Sequence, residues 1–359
     1  MKEIILIKSA TPEGRPFIDM MVDAFSAQGS EPTLAISIHD LKDPVPPLDF
    51  RNKFLILAVS LDQWGNNHGL LDFLTERHHE DPDAFFGTVS GLLVYSETEL
   101  YTKSFAGKLV FMLNTMGSTI PGHPMVEAIP GFSNFRTWQK TQNLSLEEIC
   151  QDQCLRLRER LAEFHLLKTE KPRILALHAS NAASSNTLAL WNMVRDQLDW
   201  ADVHEVHVEN GSVHDCKGCS FKACLHFGKQ QRCFYGGSVV DEIYPEIEKA
   251  NAVVWISPNY NDSVSANLMA VINRLTALYR VTPFYNKLHY SIVVSGNSGS
   301  DSVIKQLMNS LCINKGFTLA PGSYLHAIAN DPGSIRMAPD IEKKAQSFSL
   351  SLRSALCEP

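Results

Sequence analysis

Short apolar runs alternate along the chain with longer stretches in which apolar positions recur every three or four residues. Residues 2–7, 54–59, 88–95 and 108–113 in the first half have the length and content of buried strands, as do 173–178, 252–256 and 289–294 in the second. Helical spacing links Phe17, Ile18, Met21, Val22 and Phe25, then Leu70, Leu71, Phe73 and Leu74, and continues through 146–166. In the second half it links Leu188, Leu190, Trp191, Val194 and Leu198, then Leu268 to Leu278, then Val303 to Leu311. Strands alternating with helices predict a parallel, doubly wound sheet. Each half opens strand–loop–helix, continues with a strand, polar loop and helix, and then reaches a strand with an Asn/Gly/Ser loop. The expectation is α/β, as a tandem duplication of one fold. A chain of 359 residues suits two domains of ordinary size. The expected boundary is the charged stretch 167–172, giving domains 1–166 and 171–359.

Three loops of the second half are small and polar, and each follows a strand. They are 179–187, 257–265 and 295–300. Such loops emerge on one edge of a parallel sheet, where ligands of doubly wound folds sit. In the first, Ser180, Ser185, Asn186 and Thr187 lead into a helix, whose free N–H groups and dipole favour an anion. Taken alone, these residues read more readily as helix caps than as an anion site. The counterpart in the first half offers Ser9, Thr11 and Gly14, for which turn and capping roles are expected. Residues 114–134 are rich in Gly and Pro and lack periodicity, so they read as a long loop, either a lid or a packing excursion.

Four of the eight cysteines crowd into the segment 214–238: Cys216, Cys219, Cys224 and Cys233, spaced C-x2-C-x4-C-x8-C. Such a cluster suggests a metal, an iron–sulfur cluster or redox work rather than a disulfide framework. Four thiolates suit a 4Fe–4S cluster. Structural zinc is the alternative, with His207, His214 or His226 as substitutes. The third possibility is a loop that holds nothing.

The segment 171–330 resembles the NADPH-dependent FMN reductase and iron–sulfur flavoprotein group of flavodoxin-like proteins. The resemblance rests on HASNAASSNT against the family's G-S-P-R-x-x-S-N-T, on SPNYNDSVS at 257–265 against S-P-x-Y-x-x-x-x-S, and on the cysteine loop between them. It implies two tandem flavodoxin-like doubly wound parallel-sheet domains, the first degenerate. It also implies an FMN site: phosphate on Ser180, Ser185, Asn186 and Thr187; Pro258, Asn259, Tyr260 and Asn261 flanking the isoalloxazine; Ser295, Gly296, Asn297 and Gly299 approaching it from the third loop. The family's Pro-Arg pair is Asn181-Ala182 here, which removes a phosphate-binding cation. The x4 gap departs from the family's compact cysteine spacing, and the expectation favours no cluster.

With FMN, the expected activity is NAD(P)H-dependent reduction of a quinone, flavin or similar acceptor, with no acid–base residue required. An electron carrier passing electrons between FMN and a cysteine-bound cluster is the alternative. A non-catalytic, zinc-stabilised binding protein is the third. Partners expected are a small-molecule acceptor or a redox protein, and a second copy of the chain. A net charge of −7 with no basic aromatic-interleaved run argues against nucleic acid. The longest apolar runs fall far short of a membrane span. The N-terminal MKEIILIKS lacks the form of a signal peptide, and the free cysteines fit a reducing cytoplasm.

Overall fold

The computed structural model describes residues 3–27, 33–38, 48–180, 184–209 and 211–358. The chain divides into two compact units, Met1–His165 and Leu166–Pro359.

The first unit holds strands β1 (Ile4–Ser9), β2 (Thr33–Ser37), β3 (Phe54–Leu61), β4 (Val89–Ser96) and β5 (Met125–Ala128). Its helices are α1 (Arg15–Ser26), α2 (His68–Glu80), α3 (Thr102–Thr115), α4 (Arg136–Gln139) and α5 (Leu146–Ala162). The second holds β6 (Arg173–His178), β7 (Asp202–His207), β8 (Ala252–Pro258), β9 (Leu288–Ser295) and β10 (Tyr324–Ile328). Its helices are α6 (Asn186–Arg195), α7 (Phe221–Gly228), α8 (Tyr244–Lys249), α9 (Ala266–Tyr279), α10 (Ser300–Met308) and α11 (Ile341–Leu356).

Both sheets are five-stranded, with orders β2-β1-β3-β4-β5 and β10-β9-β8-β6-β7. Every strand pairing in them is parallel. Numbered from the start of each unit, both orders are 2-1-3-4-5, the flavodoxin-like arrangement. The central strands are apolar on both faces because helices cover both: β4, β8 and β9 are buried throughout. One face of the second sheet packs Ile174, Ala176, Val254, Ile256, Tyr290 and Ile292 against Trp191 and Val194 of α6 and Phe348 and Leu352 of α11.

Two sequence expectations are corrected. Residues 108–113 are helical, inside α3, where Ala106, Leu109, Val110 and Leu113 are buried at helical spacing. A six-residue apolar run carries too little periodicity to separate strand from helix. Asn114 therefore lies in the last turn of α3, and the loop at the carboxyl edge is the one after β4. Nor are residues 114–134 one long loop: they contain β5 and end in a 3-10 turn at Pro130–Phe135. A four-residue strand is shorter than the window in which alternation is legible.

Titratable groups are buried in the second sheet, among them His178, His289 and Tyr290. His289 is fully buried on β9, and neither ring nitrogen has a partner. Ser291 lies two residues on, with its hydroxyl also unpartnered, in register with Trp255 of β8, whose Nε1 is unpartnered too. Burial pushes the His289 imidazole from 6.5 down to about 3. Between those values the unfolded chain takes up a proton that the folded protein refuses. Stability is therefore complete above pH 6.5 and falls as the pH drops towards 3. At about 1.4 kcal/mol per pH unit, the loss amounts to roughly 5 kcal/mol at most. Chemical denaturation of His289→Leu at pH 7 and pH 4 should show a smaller fall than that of the unaltered protein; equal falls would place the acid sensitivity elsewhere.

Candidate flavin site and cysteine cavity

β6, β8 and β9 are adjacent and parallel, so the loops that follow them share one edge of the sheet. Strands β6 and β8 are the first and third of the unit. Their junction is the switch point, where the chain leaves in opposite directions and opens a crevice.

The first loop ends at the N-terminus of α6. Ser185 caps the helix, its Oγ accepting the Leu188 N–H at 3.1 Å. Thr187 is buried in the first turn, and Ser180 is buried with a hydroxyl that has no partner. Asn186 faces another way. Its Nδ2 donates to the carbonyls of Asp331 at 2.8 Å and Ala329 at 3.2 Å, and its Oδ1 accepts the Gly333 N–H at 2.9 Å. The side chain is thus spent on the loop after β10. Asn181 and Ala182 lie outside the described residues.

The second and third loops are knitted together. Asn259 Nδ2 donates to the Ser298 carbonyl (2.9 Å), Ser295 Oγ (3.0 Å) and Asp262 Oδ1 (3.2 Å). Its Oδ1 is buried without a partner. Tyr260 and Ser263 bridge across a tight turn whose central residues, Asn261 and Asp262, have φ of 53° and 56°. Asn and Asp tolerate that left-handed conformation better than other non-glycine residues. Gln306 of α10 holds the turn, donating to the Asp262 carbonyl at 2.8 Å and accepting the Val264 N–H at 3.2 Å. Gly299 opens α10 at φ 83°, and a Cβ there would lie 1.8 Å from Asp262 Oδ1. Ser295 and Ser300 share a hydrogen bond at 2.7 Å. Gly296 and Asn297 are exposed, Pro258 is buried at the end of β8, and Tyr260 stands 61% exposed.

The twelve residues nominated from sequence therefore lie in three loops on one edge. Sequence reasoning missed the Asn186 contacts, the Gln306 clamp and a stacked imidazole pair. His178 and His207, ending β6 and β7, stack with centroids 4.8 Å apart. Burial first, then His207, holds the His178 imidazolium below its ordinary range. The only advance signal for this pair was the histidine ending each of two neighbouring strands.

The four clustered cysteines line a single cavity of about 340 Å³. α7 carries Cys224 and lies against α9 closely enough that a Cβ on Gly228 would meet the Ala277 carbonyl at 2.6 Å. Arg274 of α9 and Arg280, just past its end, complete the wall. Arg274 donates to the Gly236 carbonyl at 2.6 Å, and Asn273 donates to Asp215 at 2.9 Å, so the loop is fastened to α9 at two points. Arg280 lies over the Phe221 ring at 4.6 Å. Cys216 and Cys219 are exposed and Cys224 and Cys233 half-buried. Among the described residues, no three His, Cys, Asp or Glu side chains are gathered closely enough to hold one metal ion.

The same edge of the first unit is built differently. The Thr11 N–H donates to Ser60 Oγ at 2.6 Å, Thr11 Oγ1 donates to Glu97 Oε1 at 2.9 Å, and the Gly14 N–H donates to Thr11 Oγ1 at 3.0 Å. Ser9 donates to Asn67 at 2.8 Å. The loop after β1 is tied to Ser60 of β3 and to Glu97 after β4, which sets a carboxylate against the hydroxyl an anion would need.

Residues 172–331 match the NADPH-dependent FMN reductase family. That span contains the three polar loops and the cysteine cavity and excludes the first unit. Two relatives from Archaeoglobus fulgidus are each named iron-sulfur flavoprotein. One is 26% identical over 145 residues, 40% of this chain and 62% of the relative. The other is 27% identical over 121 residues, 33% of this chain and 59% of the relative. The chain thus spans about three fifths of the length of the curated relatives it matches. Among solved structures, an NAD(P)H:quinone oxidoreductase from Methanothermobacter marburgensis is 12% identical, covers 51% of this chain and 99% of that one, and superposes with a TM-score of 0.37. Among the described residues, no helix is long and apolar enough to cross a membrane.

Proposed function

We propose that the second unit binds FMN in the crevice above β6, β8 and β9 and reduces a small acceptor, such as a quinone or a flavin, with NAD(P)H. The observation that carries this reading is the set of three polar loops on one sheet edge, with the Ser180 hydroxyl and Asn259 Oδ1 buried in them and unpartnered. Buried polar atoms without partners are costly, and a polar ligand relieves that cost. FMN, when bound, supplies the capacity to accept a hydride or single electrons. The protein's part is to hold it. Ser180, Ser185, Thr187 and the first N–H groups of α6 take the phosphate; Asn259 and the backbone of 296–299 meet the polar edge of the ring; Tyr260 covers a face. Direct hydride transfer to a bound flavin requires no acid–base pair from the protein.

The visible spectrum and flavin content of the purified protein test this. The expected result is one FMN per chain and saturable NAD(P)H oxidation with an added quinone. A colourless protein that takes up no FMN on titration would overturn it.

A second reading, an electron carrier with a cysteine-bound metal centre, is favoured by one observation: all four thiols line one cavity. The relatives named iron-sulfur flavoprotein point the same way. Against it, the thiols are not drawn together into a ligand set. Anaerobic reconstitution with iron and sulfide separates the possibilities. About four irons per chain, lost on Cys219→Ser with FMN retained, would establish a cluster. About one zinc and no iron would establish a structural zinc site. We expect neither metal to be retained stoichiometrically.

A further inference from the structure

Asn186 belongs to the segment that opens the phosphate loop's helix, yet all its hydrogen-bonding capacity is directed at the loop after β10. Two carbonyls, of Ala329 and Asp331, take its N–H groups, and its oxygen accepts the Gly333 N–H at 2.9 Å and the Ile335 N–H at 3.4 Å. It is buried, and its partners lie more than 140 residues away in sequence. A carboxamide that is fully satisfied by backbone has nothing left to offer a phosphate. The loop it holds reaches the third flavin loop: Asn330 Oδ1 lies 3.0 Å from where a Cβ on Gly296 would be. Asn259 ties the loops after β8 and β9 together, and Asn186 ties α6 to the loop after β10.

We propose that Asn186 is a positioning residue whose side chain sets the loop after β10 as a fourth wall of the flavin crevice, on the side of the isoalloxazine, and that this side chain makes no contact with the phosphate. This rests on the FMN reading above. A group acting on the phosphate discriminates FMN from riboflavin, which lacks it. A group acting through the ring-side wall does not.

The test compares both flavins on the full chain. Asn186→Ala should weaken FMN and riboflavin by the same factor, about tenfold. It should also raise amide hydrogen exchange at 329–335 in the flavin-free protein. Asn186→Asp keeps the accepted bonds and loses the donated ones, so it should fall between. A loss of FMN affinity with riboflavin unaffected would overturn the proposal and make Asn186 a phosphate ligand. Unchanged exchange at 329–335 would overturn it whatever the flavin result. If the unaltered protein binds neither flavin, the functional reading fails, and this inference with it.

Discussion

A triple variant, Ser180→Ala, Ser185→Ala and Thr187→Val, loses at least about a hundredfold in FMN affinity while its affinity for riboflavin hardly changes. Ser185 and Thr187 sit at the start of α6, and the Ser180 hydroxyl, just after β6, is buried and unpartnered. Hydrogen bonds to a charged group contribute roughly 1.5–3 kcal/mol each and do not add fully, so the loss of three amounts to at least about 3 kcal/mol. Part of the cost falls on the helix itself. Ser185 is its N-cap, worth about 1 kcal/mol, and thermal denaturation without flavin measures that share separately. Fluorescence titration with both flavins gives the rest. Equal losses for FMN and riboflavin, or none, would mean that the loop is a cap and no more.

Gly299→Ala is expected to damage both stability and flavin binding. The residue holds φ 83°, where an L side chain is strained, and its Cβ would fall 1.8 Å from Asp262 Oδ1 and 3.0 Å from Asn259 Nδ2. The turn at Asn261-Asp262 cannot simply retreat, because Gln306 holds it from α10. Asn259, Ser295 and Ser298 would then separate, and the two ring-side loops with them. The backbone strain alone costs roughly 1–2 kcal/mol. Gly211 offers the comparison: its φ is 82° and nothing lies within 4 Å of its Cβ position. Gly211→Ala should therefore pay the backbone cost only, whereas Gly299→Ala should lose more stability and at least about tenfold in FMN affinity. Urea denaturation and flavin titration of the two variants side by side decide it. Equal effects would show that the loops are not locked against each other at this point.

The doubly wound architecture was legible because it rests on local signals. Apolar strands, polar strand-end loops and amphipathic helices follow one another with clear periods, and β6, β8, β9, α6, α9 and α10 all lie where those periods put them. The errors fell where a local signal is ambiguous. The run 108–113 is apolar enough for either element, and β5 is only four residues long.

The sequence by itself determined which small and polar residues follow β6, β8 and β9, and the grouping of four cysteines, since residue type and loop length are local properties. The tertiary structure alone decided what those residues do to one another. It turned Asn186 away from the first loop towards Asp331 and Gly333, joined Asn259 to Ser295 and Ser298, and set Glu97 against Thr11. It also fastened the cysteine segment to α9, with Arg274 and Arg280 lining the same cavity as the thiols. Each of these contacts joins residues about forty or more positions apart, or elements separated by a strand. Hydrogen-bond partners at that range are chosen by how strands are ordered in the sheet, and nothing in the local pattern encodes them.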